Sequence, residues 1–251
     1  MWSDVVDLRE FYESRRGQVA RHLIRHRIRQ VWPDLRGEAL LGLGYATPFL
    51  RQFLGEAERV VGLMPAPQGV VHWPPEGPNL VALAGEAELP LPDYSIDRVL
   101  LVHSLECSES LREMLQEVWR VMTSNARLLV VAPNRRGIWA RSDRTPLGHG
   151  HPYSQSQLSR LLRDNGFTPT RTERALYIPP TRSNALLRAA PAWERLGARW
   201  FPTFSGVLLM EAGKQLYAAR EKPARRRRLT PVVAFPPAAA APKPASRSFP
   251  E

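Results

Sequence analysis

The sequence has one cysteine in 251 residues, Cys107. A single thiol excludes an internal disulfide, and a reducing compartment is the expectation. No run approaches the roughly 18–20 apolar residues of a membrane-spanning helix. The first nine residues carry Asp4, Asp7 and Arg9 rather than an apolar core, which argues against a signal peptide. A cytoplasmic protein without a membrane partner is therefore expected. Acids are also scarce, 24 against 35 Lys and Arg, for a net charge of +11. Much of the excess is local: residues 222–251 hold seven Lys and Arg against one acid, Glu251. The body is only mildly basic, which disfavours nucleic acid as the partner of the fold itself.

Phosphate-loop chemistry is missing too. Gly42 and Gly44 in LLGLGYATPFL (residues 40–50) begin a Gly-x-Gly turn, but Thr47 stands where a dinucleotide fingerprint has its third glycine. No Gly-Lys-Ser/Thr follows, so a Walker loop is excluded. Thr47-Pro48 reads instead as a helix start, Thr47 as the cap and Pro48 in the first turn.

What is present is alternation. Residues 8–32 read as one helix, with Val19, Leu23, Ile24, Ile28 and Val31 at three- and four-residue spacing. Arg21, Arg25 and Arg29 form a basic stripe on another face: a solvated surface, or a site for an anionic substrate or acidic partner. Strands are expected at 39–42, 59–63, 79–84, 96–102 and 127–132, with helices at 48–54, 110–122 and 154–165. Ser154 and Gly166 bracket the last of these as cap and stop. Such alternation predicts a parallel sheet covered by helices on both faces. Further on, 170–178 and 206–211 read as strands, and 184–200 as a helix interrupted at Pro191. Residues 222–251, with seven Pro and seven Ala, are expected to be disordered. The expected organisation is a basic N-terminal helix (1–37), an α/β domain (38–220) and a tail (221–251).

Two segments decide among α/β folds. GEAELPLPDYSIDRVLLVHSLE (85–106) and LREMLQEVWRVMTSNARLLVVAPN (111–134) contain Gly-Glu-Ala-x-x-Leu-Pro, Asp-x-Val before a strand and Leu-Glu after it. Trp-Arg-Val-Met then closes a helix and Pro-Asn closes a strand. Together, over about 38–167, these resemble the class I S-adenosylmethionine-dependent methyltransferases of the type 11 kind. The resemblance implies a Rossmann-like seven-stranded, mostly parallel sheet with an antiparallel last strand. It implies S-adenosyl-L-methionine as cofactor and in-line methyl transfer to a small molecule. Gly42, Gly44 and Tyr45 would wrap the methionine moiety, Glu86 and Ala87 would face the adenine, and His103 and Ser104 would lie near the sulfonium. Two acids usual in the family are replaced: Leu40 precedes the first glycine, and Met64 ends the second strand where a carboxylate would hold the ribose. A ligand that loses such charge-assisted bonds loses roughly 1.5–3 kcal/mol.

Methyl transfer from a sulfonium needs alignment more than acid–base chemistry. His103 is the candidate base if the acceptor carries a proton; a packed histidine at a strand end is the alternative. The loop PNRRGIWARSDRTPLGHGHPYS (133–154) gathers Arg135, Trp139, Arg141, His149, His151 and Tyr153. It reads either as a lid for an anionic substrate or as a docking surface for a protein. His149-x-His151 has no third ligand at metal spacing, and no metal is expected. Two functions from other classes stay open: a non-catalytic methyltransferase-like subunit that regulates a partner, favoured by Leu40 and Met64, and a nucleic-acid methyltransferase, favoured by Arg225–Arg228.

Overall fold

In the computed structural model, which describes residues 2–215, the chain runs α1 (Val5–Glu13), α2 (Arg15–Val31), β1 (Ala39–Gly44), α3 (Thr47–Leu50), β2 (Arg59–Pro65), β3 (Val81–Ala84) and β4 (Ile96–Val102). It continues through α4 (Leu111–Val121), β5 (Met122–Pro133), α5 (Gln155–Asp164), β6 (Phe167–Ala175), α6 (Asn184–Arg188), α7 (Ala190–Trp200) and β7 (Val207–Lys214). The strands form one seven-stranded sheet in the order β3-β2-β1-β4-β5-β7-β6. Pairings from β3 through β5 are parallel, and β7 inserts antiparallel between β5 and β6. This is the seven-stranded α/β architecture expected from the resemblance. Among the described residues no helix is long and apolar enough to cross a membrane. The expected tail, 221–251, lies outside the described residues.

Helices on both faces dictate the apolar runs. Every residue of β1 is buried, as a central parallel strand requires. Successive residues supply opposite faces. Leu40, Leu100 and Leu129 join one core with α1 and α2. Leu41, Leu101 and Leu128 join the other with α4 and α5. The family-like motifs are fastenings in this frame. Asp97 accepts from the Ala39 amide (3.0 Å) and from Thr123 Oγ1 (3.0 Å), pinning β1 and β5 beside β4. Arg120 at the end of α4 donates to the carbonyls of Leu89 and Leu91, each at 2.9 Å, and is held by Glu117 and Asp93. Asn134 Nδ2 reaches the carbonyls of Thr203 (2.9 Å) and Ser205 (2.8 Å), joining the end of β5 to the approach to β7.

Several expectations are corrected. The helix expected at 8–32 is two helices broken at Ser14, which is extended (φ −63°, ψ 154°). Ser14 Oγ accepts from the Gly17 amide at 3.1 Å, capping α2. A Cβ on Gly17 would stand 1.8 Å from the Phe11 carbonyl oxygen, so only glycine permits this fold-back. Periodicity could not show the break, because both helices bury apolar residues at helical spacing. Thr47 is not the cap: Ala46 holds that position, no side chain caps the helix, and buried Thr47 begins it. The break expected at Pro191 falls at Ala189, with the proline in the first turn of α7, where its missing N–H costs nothing. The sixth strand starts at Phe167 rather than 170 and ends at Ala175. Ser154 does cap α5, in a reciprocal box with Gln157.

Candidate functional site

The sheet's carboxyl edge is where ligands bind in open α/β folds. Here that edge is covered by α1. Asp4 caps the helix through the Val6 amide (2.7 Å), and Leu8 on its inner side is fully buried. Tyr12 stacks on Tyr45 with ring centroids 5.8 Å apart and 17° between planes. Its hydroxyl lies 2.7 Å from His103 Nε2. Just before the helix, the indole of Trp2 donates to Glu86 Oε1 at 2.6 Å. The second Glu86 oxygen accepts from Ser108 Oγ and from the Ser110 amide.

Beneath α1 lies a buried polar chain. His103 has a positive φ of 50° at the end of β4, a conformation that aims its ring at Tyr12. His103 Nδ1 stands 3.2 Å from Glu106 Oε1, and both residues are almost wholly buried. That contact is within ion-pair reach but off hydrogen-bond alignment, and neither Glu106 oxygen has a hydrogen-bond partner. Burial first, then the charge of Glu106 and the neighbouring Tyr45, push the Tyr12 phenol well above its ordinary range. A neutral phenol can donate to Nε2 or accept from it; where it donates, the ring proton sits on Nδ1, on the side of Glu106. The arrangement sets a histidine between a carboxylate 3.2 Å from Nδ1 and the Tyr12 hydroxyl 2.7 Å from Nε2.

The remaining residues of the turn are packed. The space that a Gly42 Cβ would fill holds Leu50 and Ala46 side chains, at 2.6 and 2.8 Å. Gly44 has φ +80°, and a Cβ there would meet the Val102 carbonyl oxygen at 2.4 Å. Met64 is fully buried in the core that includes Tyr45, Phe49 and Trp73. Ala87 is exposed, and Ser104 Oγ donates to Met114 Sδ at 3.3 Å.

A methyltransferase-domain family matches residues 39–130. A probable S-adenosylmethionine-dependent methyltransferase from Mycolicibacterium smegmatis is 32% identical over 133 residues, 52% of this chain and 50% of its own. The chain spans about half the length of that curated relative. Solved structures share the fold. A Haloferax volcanii methyltransferase in complex with the Trm112 activator aligns with TM-score 0.58 at 15% identity, over 86% of this chain and all of its own. An Archaeoglobus fulgidus S-adenosylmethionine-dependent methyltransferase aligns with TM-score 0.55 at 20% identity, over 82% and 96%. The sheet thus has the Rossmann-like class I methyltransferase fold.

Within this methyltransferase fold the 133–154 segment divides. Arg135, His151 and Tyr153 line one cavity of about 540 Å³. Tyr153 donates to the Leu105 carbonyl (3.3 Å) and the His151 amide to that of Glu106 (2.8 Å), so this part leans on the turn after β4. Trp139 is not at that cavity: it is 2% exposed, T-stacked on Phe11, and donates to the Ile178 carbonyl at 2.6 Å. Arg141 is exposed, and His149 meets the Asp143 carbonyl at 3.0 Å. Tyr12, Trp2 and Glu106 were not legible as site residues. Glu106 stood in the quoted motif, but nothing in the spacing brings residues 2 and 12 to it.

Cys107 adjoins this turn, 2% exposed. Burial first, then the Glu106 charge, push its thiol up to about 12. The thiolate is the reactive form. Iodoacetamide at pH 8 is therefore expected to leave Cys107 of the folded protein unmodified and to label it in urea. Comparable rates in both states, read by mass spectrometry, would show that the thiol reaches solvent.

Proposed function

We propose that the chain is an S-adenosylmethionine-dependent methyltransferase whose cleft is gated by its own N-terminal helix. The observation that carries the gate is the pair of contacts Trp2–Glu86 and Tyr12–His103. The donors suit the cofactor in kind: a carboxylate for an adenine amino group, a histidine beyond β4, and backbone of a tight turn. All are engaged by residues 2–12 or by neighbouring side chains, so binding requires α1 to swing away. The cofactor, when bound, supplies an activated methyl group. The protein's own work is then to hold the acceptor in line and, where the acceptor carries a proton, to take it on His103 Nε2. Glu106 would balance the resulting imidazolium. The acceptor we propose is a small anionic molecule reached through the cavity of Arg135, His151 and Tyr153, whose segment packs on the 105–106 backbone.

Calorimetric titration with S-adenosylhomocysteine tests the gate. A hydrogen bond to a charged group contributes about 1.5–3 kcal/mol, and affinity scales with the open fraction. Trp2→Ala is therefore expected to tighten binding by about tenfold or more, and Tyr12→Phe by less. Equal affinity in parent and variants would refute the gate while leaving the methyltransferase intact.

A second reading is a methyltransferase-like regulatory subunit, without catalysis. Met64, fully buried where an acid is usual, favours it. The Haloferax methyltransferase of similar fold stands in a complex with an activator protein, so association is compatible with this architecture. Absence of binding in parent and both variants would select this reading.

A further inference from the structure

The basic stripe of α2 is not one surface. Arg29 leaves it, pairing through both guanidinium nitrogens with Glu56. Arg21 and Arg25, one helical turn apart, face a cavity instead. Arg9 of α1 and Arg51, just after α3, reach the same cavity. Its volume is about 720 Å³, inside the roughly 300–1,000 Å³ of small-molecule sites. Tyr45 and Trp73 line it as well, so it opens beside the glycine turn.

The charges there do not balance. Arg51 is held by Glu76, outside the lining, at 2.8 Å, and Glu13 is the carboxylate on the wall. Among the described residues Arg9, Arg21 and Arg25 form no ion pair. Burial, and after it the charges of Arg21 and Arg51, push the Arg25 guanidinium below its ordinary value. With Arg51 paired to Glu76 outside the wall, three guanidiniums face the one carboxylate of Glu13, which leaves two positive charges. A dianion set among them would relieve that repulsion and accept several charge-assisted bonds in fork geometry. Concavity separates this site from a flat docking face, and the aromatic wall suits a ligand that carries a ring beside its charge.

We propose that this cavity binds a small ligand bearing a phosphate or diphosphate group, with Arg21 and Arg25 as its principal contacts. Arg9, Tyr12 and Glu13 of α1 share the wall, but the test reads anion binding with no methyl donor present, so this proposal and the methyltransferase reading can fail separately. A second cavity, of about 630 Å³, is also lined by arginines, Arg136, Arg160, Arg163 and Arg174. There Arg174 already donates to Gln155 at 2.5 Å and Asp164 shares the wall. It serves as the control for general attraction of anions.

The experiment is calorimetric titration of the full chain with inorganic pyrophosphate, then ADP, then a short single-stranded oligonucleotide, at low ionic strength. Arg25→Ala and Arg21→Ala are each expected to weaken pyrophosphate binding by about tenfold or more, and Arg160→Ala by less than about twofold. Tighter binding of ADP than pyrophosphate would identify a ring-bearing ligand; equal binding would identify the phosphate group alone. No binding by the parent, equal losses in all three variants, or preference for the oligonucleotide would overturn the proposal. Should Arg25→Ala shift the unfolding midpoint, Arg9→Ala, on the other helix, gives the same reading.

Discussion

Replacing Gly44 by valine is expected to unfold the protein rather than merely empty its cleft. Viewed along the sequence alone, a branched side chain at this glycine would fill space reserved for a cofactor and leave the fold intact. The backbone says otherwise. Gly44 has φ +80°, and an added Cβ would sit 2.4 Å from the Val102 carbonyl oxygen and 3.0 Å from Ser104 Cβ. The obstructing atoms belong to the neighbouring strand, since Gly44 is in register with Val102. A β-branched residue held at positive φ costs about 1–3 kcal/mol, and forcing it against fixed backbone costs a further 1–3 kcal/mol or so. Against a total stability of about 5–15 kcal/mol, the urea midpoint should fall steeply or the variant should not fold. A variant with the parent's midpoint that fails to bind S-adenosylhomocysteine would show that the side chain enters ligand space after all.

Met64→Asp is expected to destabilise strongly, and more at neutral than at acid pH. Its position, at the end of β2, is where the resemblance implies a carboxylate on the ribose. Met64 is fully buried in the larger core. Truncating a buried methionine costs about 2–5 kcal/mol, and a carboxyl without partners adds about 1–3 kcal/mol. Burial raises the folded pKa of such a group above its unfolded value near ~3.9. Between those two values the folded state binds more protons, so stability falls as pH rises. Urea unfolding at pH 4 and pH 7 checks the sign, with Met64→Leu as a volume-matched control expected within about 1.5 kcal/mol of the parent. An aspartate variant that keeps the midpoint and binds S-adenosylhomocysteine more tightly would make Met64 a lapsed ribose contact.

The Met64 outcome rests on how this edge is packed. The carboxyl edge of β1, β2 and β4 is packed by the chain's own N-terminal segment, with Leu8, Tyr12 and Tyr45 in the same core as Met64. Departure of α1 would uncover Glu86, His103 and Tyr45 together. It would also move Arg9, which lines the arginine cavity, so an anion held by Arg9 and Arg25 would favour the closed position. The proposed gate and the cavity meet at Arg9, Tyr12 and Glu13 of α1, while Arg21 and Arg25 remain on α2.

Local chemistry determined the sheet. The apolar runs at 96–102 and 127–132 and the cap at Ser154 are local or periodic signals, and the motifs that hold Asp97, Arg120 and Asn134 are legible as short sequence patterns although their partners are distant, Ala39 being 58 residues from Asp97 and Ser205 71 from Asn134. Such signals name a methyltransferase fold and locate its carboxyl edge. The break at Ser14 was not legible, because a serine and a glycine three residues on are ordinary inside an amphipathic pattern. What they mean depends on the Phe11 carbonyl, 1.8 Å from where a Gly17 side chain would begin. Likewise the arginine stripe is uniform along α2. Only the tertiary structure gives Arg29 to Glu56 and turns Arg21 and Arg25 toward a cavity with Arg9 and Arg51. Tyr12 on His103 joins residues 91 apart, and Trp2 on Glu86 joins residues 84 apart. Periodicity records which face of an element is apolar. It does not record which distant polar atom that face will cover, and that choice, made by the fold-back of α1, decides whether the edge stands open or closed.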